Sequence, residues 1–285
     1  MEEIVASAGY ALGHSEREMG RLSVQARALE PFTRRMLEQA GVSRNMRVLD
    51  VGSGAGEVAF LCASLVGPAG EVIGVDRAPA AVETAAERAR GAGFGNVSFL
   101  AGDPCEMPFE KPFDAVVGRL VLMHQPDPVA MLSKLSRLLR PGGIVAFQEF
   151  DIAGAHSFPP ARTFEQCLKW VTAALAGAGT DTRMGLKLYS AFVAAGLPSP
   201  SMSLDAGIWG GADNPAAVML TDVARSLLPA IEKFGIATPA QVQIDSLQQR
   251  IQAEILAAGG VAIMPLLIGA WTMLHRTSTD GTPPR

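Results

Sequence analysis

The sequence predicts a doubly wound α/β fold built on a mostly parallel sheet, and two observations carry that expectation. Between residues 47 and 150, short β-branched runs alternate with segments of helical period, joined by short connections. The first of those runs ends in alternating glycines that open directly into a helical segment. Parallel strands joined through helices imply right-handed crossovers and helices on both faces.

The elements follow in order. Residues 1–14 hold two glycines and little periodicity, and read as an arm or a short helix. From Ser15 to Ala40, the residues Met19, Leu22, Ala26, Leu29, Phe32, Met36 and Leu37 fall near one helical stripe. Ser15 suits an N-cap, Glu16 and Glu18 suit a first turn, and Gly41 suits a stop. Strands are expected over Arg47–Val51, Glu71–Asp76, Asn96–Ala101, Phe113–Gly118 and Gly143–Phe150. Helices are expected over Gly56–Val66, Pro79–Ala92 and Pro128–Leu139, the last with Met131, Leu132, Leu135, Leu138 and Leu139 inward. After Asp151 the alternation stops. Helices are expected over Phe164–Ala178, Leu186–Ala195, Ala216–Phe234 and Pro239–Ala258, with strands at Met202–Trp209 and Ile263–Leu274. The last ten residues, R-T-S-T-D-G-T-P-P-R, read as a disordered tail. The domain reading is a cap at 1–40, an α/β core at 41–153, helical lid insertions with closing strands at 154–275, and a tail at 276–285.

Composition narrows the function. The chain has 285 residues, 48% hydrophobic and 18% charged, which supports a large core. The formal net charge is −4 and there is no Lys/Arg run, so no nucleic-acid partner is expected. Cys62, Cys105 and Cys167 match neither a disulfide framework nor a metal pattern, so reduced thiols in a cytoplasmic protein and no metal are expected. The N-terminus is acidic where a signal peptide is basic. The longest apolar stretch, Val261–Ala270, is short of the ~18 residues of a membrane span and contains Pro265.

The chemistry centres on Asp50-Val51-Gly52-Ser53-Gly54-Ala55-Gly56, after a strand and before a helix. Glycines there let the backbone turn sharply and let a ligand approach unpaired helix amides without meeting a Cβ. A dinucleotide loop needs G-x-G-x-x-G, but the third position here is Glu57. The carboxylate of Asp50 would repel a pyrophosphate and attract an ammonium. Asp76 ends the second strand, 20 residues after Gly56, where a carboxylate can accept both hydroxyls of a ribose. Arg77 either flanks the base of such a nucleoside or is a solvated surface residue. Asp103, before Pro104, either accepts from an adenine amino group or caps a turn. Arg119, at the end of the fourth strand, is placed at the ligand crevice and needs a partner if buried.

Taken in order, D-V-G-S-G-A-G, G-V-D-R, A-G-D-P, F-D-A-V-V-G-R and L-L-R-P-G-G resemble the class I S-adenosylmethionine (SAM)-dependent methyltransferases, nearest to the small-molecule branch of quinone and natural-product enzymes. The resemblance covers residues 10 to 150 well and the rest in outline. It implies a Rossmann-like, seven-stranded, mostly parallel sheet with a helical lid, and SAM as cofactor. It places Asp50, Gly52, Ser53 and Gly54 at the methionine side, Asp76 at the ribose, and Asp103 with Pro104 at the adenine. Family members often bring a backbone N–H to the adenine just after that Asp. Pro104 has none, so either Cys105 supplies it or the adenine is held differently. Tyr10, Arg21 and Gln25 resemble the cap folded over the cofactor, with Arg21 and Gln25 on one helix face. Arg119 would meet the SAM carboxylate or an anionic acceptor. The N/D-P-P-Y/F sequence of base-amino methyltransferases is replaced by G-R-L-V.

The implied reaction is O- or C-methylation of an apolar small molecule of polyketide, quinone or isoprenoid type. SAM carries an activated methyl, so positioning provides much of the acceleration. A phenol or an acidic carbon also requires a base, for which His124, Glu149 and His14 are the candidates. The lid, rich in Ala, Leu, Met and Phe, would line the acceptor pocket or else form a second core layer or a homodimer interface. Two other functions stay open: a SAM-binding enzyme of different chemistry, and a non-catalytic SAM-binding protein.

Overall fold

The computed structural model describes residues 16–275 apart from 213, and the backbone alone for residues 16–24, 26 and 27. Tyr10, His14, the proposed cap of Ser15 and the tail at 276–285 lie outside the described residues, as does the side chain of Arg21.

Helix α1 (Glu16–Ala40) is followed by β1 (Arg47–Val51), α2 (Glu57–Val66), β2 (Glu71–Asp76), α3 (Pro79–Ala92), β3 (Val97–Ala101), β4 (Phe113–Arg119), α4 (Pro128–Ser136) and β5 (Leu139–Asp151). Then come β6 (His156–Phe158), α5 (Arg162–Gly177), α6 (Met184–Ala194), β7 (Ser201–Asp205), β8 (Ile208–Gly210), α7 (Pro215–Ser226), α8 (Leu228–Lys233), α9 (Pro239–Val242), α10 (Ile244–Ala257), β9 (Val261–Ile263) and β10 (Leu266–Met273).

The chain divides into two compact units. One unit, which among the described residues takes in 26–151, 183–205 and 266–275, carries a seven-stranded sheet in the order β3-β2-β1-β4-β5-β10-β7. Its first five strands pair parallel, and β10 runs antiparallel to both β5 and β7. This is the Rossmann-like, doubly wound architecture. The order reverses between β1 and β4, and a crevice opens outside the carboxyl ends of the strands at such a point. Buried Val48, Val72, Ala115, Val117, Ile144 and Ala146 present one sheet face to α2 and to Met36, Leu37 and Ala40 of α1. Pro141-Gly142-Gly143 falls inside β5 and not before it: the register against β4 jumps from Phe113↔Leu139 to Ala115↔Ile144, so the intervening residues bulge.

The other unit, which among the described residues takes in parts of 16–25, 152–182 and 206–265, packs α5 with α7 and α10 and carries a three-stranded sheet in the order β6-β9-β8. Glu254 of α10 accepts the Thr163 N–H in the first turn of α5, at 2.7 Å, and also its hydroxyl.

Several boundaries differ from the sequence reading. The strand expected over 202–209 is two strands in two sheets, separated at Gly207, where a Cβ would lie 1.8 Å from the Trp209 ring. The closing strand expected over 263–274 is split into β9 and β10 around Pro265, which has no N–H for a ladder. The helix expected over 239–258 breaks at Gln243, whose φ is 48°. The one expected over 216–234 breaks at Leu227, ahead of Pro229.

Candidate functional site

Apart from Gln25, every site residue described here belongs to the larger sheet unit. β1 delivers Asp50 at its carboxyl end, and the chain then turns through three glycines with positive φ: Gly52 (64°), Gly54 (51°) and Gly56 (91°). The N–H groups of Gly52 and Ser53 both donate to the Val75 carbonyl, at 2.8 and 3.1 Å, which pins the turn to β2. A Cβ on Gly52 would stand 2.7 Å from Val121 Cγ2, so the loop is packed against the turn that follows β4. A Cβ on Gly54 would meet nothing within 4 Å, so the loop is open at its middle. Arg88 of α3 donates to the Ala55 carbonyl at 2.6 Å and pairs with Glu57 at 2.8 Å, tying down the loop's far end.

Asp76, at the end of β2, is bound from both sides by backbone. Its Oδ2 accepts the Gly54 N–H at 2.8 Å and its Oδ1 accepts the Ala78 N–H at 2.9 Å. A carboxylate offers about four lone-pair sites, so two remain.

Asp50 is buried, and burial pushes its carboxyl up from 3.8 to about 8. The positive charge of Arg119 offsets part of that rise, the negative charge of Asp76 adds to it, and the Ala59 N–H in the first turn of α2 lowers it. Asp50 Oδ2 has no hydrogen-bond partner, and neither has the buried Ser53 Oγ. The register sets Asp50 opposite Val117, and Arg119 opposite Gln148. With a period of two along each strand, Asp50, Arg119 and Gln148 therefore project from one face. On that face Arg119 Nη1 donates to Thr33 Oγ1 at 3.0 Å, and the Thr33 hydroxyl lies 2.8 Å from Gln148 Oε1. Gln148 Nε2 is buried without a partner. Burial lowers the Arg119 pKa, while Asp50, Glu57 and Glu30 favour its charged form.

The other candidates take definite places. Arg77 pairs with Asp103 at 2.7 Å. Asp103 also accepts the Cys105 N–H at 2.9 Å, so that N–H is engaged within the turn and not offered outward. Partial burial raises the Asp103 carboxyl, but the Cys105 N–H and Arg77 outweigh it and hold the group below 3.8. Pro104, buried, stands between them with no N–H to give. Gln25 is half-buried in α1. His124 ends the short 3-10 turn Leu122–His124 after β4. Burial pulls its imidazole down from 6.5 to about 4, so it is neutral at pH 7. Glu149 is fully buried, and its Oε1 accepts the N–H groups of Val121 (2.9 Å) and Leu122 (2.7 Å) while Oε2 accepts that of Met123 (3.3 Å). A carboxylate offers about four lone-pair sites, and these three amides take up most of them. Its geometry is that of a turn-holder.

Thr33, Gln148, Val121 and Arg88 were missed in the sequence. A signal existed for Gln148, a polar residue inside the buried run I-V-A-F-Q-E-F. None existed for Arg88 or Val121, whose partners are distant in the chain. Among the described residues no group of three or more His, Cys, Asp or Glu is placed to hold a metal ion.

The two shifted groups have opposite effects on stability. Asp50, raised to about 8, stays protonated in the native state where the unfolded chain has lost its proton; stability from it is complete below 3.8 and is lost as pH rises through 8. His124, lowered to about 4, contributes stability above 6.5 that is lost as pH falls through 4. The slopes oppose one another below 6.5, and only that of Asp50 remains above. The melting temperature of the ligand-free protein is expected to fall between pH 6.5 and 8, by the equivalent of roughly 2 kcal/mol. Asp50→Asn should flatten that limb; an equal fall in the variant, measured by calorimetry, would remove Asp50 as its source.

Comparison with known proteins decides the family. A family model described as a methyltransferase domain matches residues 42–193, just over half of the chain. The chain belongs to this methyltransferase family. A demethylmenaquinone methyltransferase of Staphylococcus aureus is 35% identical over 119 residues, covering 41% of this chain and 48% of that protein. The chain thus spans about half the length of the curated relatives it matches. A protein of Bacillus halodurans C-125 assigned to the methyltransferases superposes with a TM-score of 0.56 at 18% identity, covering 85% of this chain and 98% of the other. A Haemonchus contortus phosphoethanolamine N-methyltransferase, solved with phosphomonomethylethanolamine and S-adenosylhomocysteine, gives a TM-score of 0.52 at 19% identity, covering 87% and 53%. At these identities the two structures establish the shared fold. The methyltransferase domain matched here includes the glycine loop, Asp76, Asp103, Arg119 and Glu149. No described helix is long and apolar enough to cross a membrane.

Proposed function

We propose that this chain is a SAM-dependent methyltransferase acting on an apolar small molecule of quinone type, by O- or C-methylation, in the cytoplasm. The observation that carries the reading is the pair of acidic groups around the glycine loop: Asp50 with an unpartnered buried oxygen, and Asp76 latched to the Gly54 amide. The residues fit the cofactor. An orphaned carboxylate oxygen is costly to bury, and an ammonium is the partner it lacks. The opening beside Gly54 leaves room for a ligand against the backbone.

In this reading Asp50 holds the methionine ammonium, with Ser53 beside it, and Arg119 faces the carboxylate. Asp76 accepts the ribose hydroxyls through its remaining lone pairs, and Asp103 faces the adenine, with Arg77 displaced from it or lying along the base. When bound, SAM supplies a methyl group already activated by a sulfonium. What the chain adds is position and an apolar setting. His124, held neutral, suits orienting an acceptor hydroxyl by a hydrogen bond. With its pKa near 4 it is a weak proton acceptor, which favours acceptors that already carry an acidic hydroxyl or carbon. The demethylmenaquinone relative supports a quinone-type acceptor.

Calorimetric titration with SAM, S-adenosylhomocysteine and NADH tests the cofactor. Micromolar binding of the first two and none of the third is expected; binding of NADH alone, or of nothing, refutes the reading. Incubation with SAM and a reduced, unmethylated naphthoquinone should then yield S-adenosylhomocysteine and a product heavier by one methylene.

A further inference from the structure

The turn after β4 has a construction that the cofactor reading does not use. Leu120 sits at φ 57°, a left-handed conformation that a leucine adopts only at a cost. Its own N–H is spent on the Gln148 carbonyl at 2.8 Å. The chain reverses there, and the next three amides, those of Val121, Leu122 and Met123, converge on the carboxylate of Glu149. Consecutive amides after a left-handed residue form a concave anion site, and in this protein a side chain from the neighbouring strand fills it. Val121 is also the residue whose methyls press on Gly52: a single added carbon there would come within 2.7 Å. A path of contacts therefore runs from Glu149 through the backbone of Val121 to the first glycine of the loop.

We infer that Glu149 is a positioning residue, which fixes the turn after β4 through three amides and, by way of Val121, the shape of the glycine loop that receives the cofactor. This rests on the cofactor reading above for its functional consequence, though the latch itself does not. Charge and reach are both required. A carboxylate presents acceptors on both oxygens, whereas a glutamine must turn its NH2 toward at least one of the three donors. An aspartate keeps the charge but lies one methylene short of the turn. The latch also separates Glu149 from a general base: a base acts on turnover, a latch on cofactor affinity.

The experiment uses the full-length Glu149→Gln protein with two readouts, amide exchange and binding of S-adenosylhomocysteine. Exchange at residues 121–123 is expected to quicken at least tenfold while the rest of the sheet stays protected. The dissociation constant for S-adenosylhomocysteine should rise about tenfold, with the KM for SAM rising more than kcat falls. Unchanged exchange at those amides overturns the latch; loss of kcat with unchanged KM and affinity overturns it in favour of a base. Should Glu149→Gln not fold, Val121→Ala takes its place, since it keeps all three amides and removes the methyls that face Gly52. It should weaken binding several-fold with exchange at 122 and 123 unchanged, and wild-type affinity would overturn the coupling. Failure of the wild-type protein itself to bind S-adenosylhomocysteine refutes the cofactor reading, a result distinct from either, while the exchange data still decide the latch.

Discussion

Asp76→Ala is expected to weaken binding of SAM and S-adenosylhomocysteine about a hundredfold or more. The carboxylate makes two kinds of contact that alanine loses together. It accepts the Gly54 and Ala78 amides, which shape the loop and the entry to α3. In the proposed complex it also accepts the ribose hydroxyls. Hydrogen bonds to a charged acceptor contribute about 1.5–3 kcal/mol each, and an amide left without a partner costs about 1–3 kcal/mol. A combined loss near 3 kcal/mol corresponds to roughly two powers of ten in affinity. Asp76→Asn keeps one oxygen as an acceptor and should fall between, at about tenfold. Calorimetry on both variants checks this. An alanine variant within threefold of wild type would mean that the ribose is not held at the end of β2.

Substitutions at Gly52 and Gly54 are expected to separate stability from binding. Gly52→Val places a β-branched residue at φ 64° and drives its Cβ into Val121, itself buried. A left-handed conformation costs a residue with a side chain about 1–2 kcal/mol, and overpacking adds about 1–3 kcal/mol. A large fall in melting temperature is expected, with no detectable cofactor binding. Gly54→Ala meets only the first of these costs, because its Cβ would have nothing within 4 Å. Its melting temperature should stay within a few degrees of wild type. Its affinity should still drop about tenfold or more, because the new methyl occupies the side from which the ligand is proposed to approach the loop. Equal losses of stability in the two variants would show that the openness at Gly54 has no functional meaning.

Much of this site was visible in the sequence because its chemistry is local. Asp50-Val51-Gly52-Ser53-Gly54 is a contiguous string, and the geometry of a strand-to-helix turn follows from it with little reference to the rest of the chain. The segments Glu71–Asp76 and Pro79–Ala92 coincide in sequence reading and structure, since each is bounded by its own signals: a carboxylate at a strand end, a proline at a helix start. The sequence allows either an adenine contact or a turn cap at Asp103, and in the structure its Oδ1 caps the turn while its Oδ2 holds Arg77.

The helix breaks at Gln243 and Leu227 were not visible because helical periodicity survives a single interrupting residue. Glu149 shows the same dependence on the fold. Its position at the end of β5 was plain, and an acid near the crevice reads naturally as a base. Only the fold reveals that β5 lies beside β4 in a register that brings three amides onto its oxygens. Composition and local pattern by themselves determined the parallel α/β sheet, the glycine loop and the carboxylates flanking it, because backbone turns and strand ends are encoded by residues adjacent in the chain. Tertiary structure alone decided which of those carboxylates is buried with one oxygen unpartnered, which is latched to backbone, and which polar residues (Thr33, Arg119 and Gln148) meet on one face. Burial and hydrogen-bond satisfaction depend on neighbours tens of residues away, and those two quantities set whether a carboxylate binds a ligand, moves a proton or holds a turn.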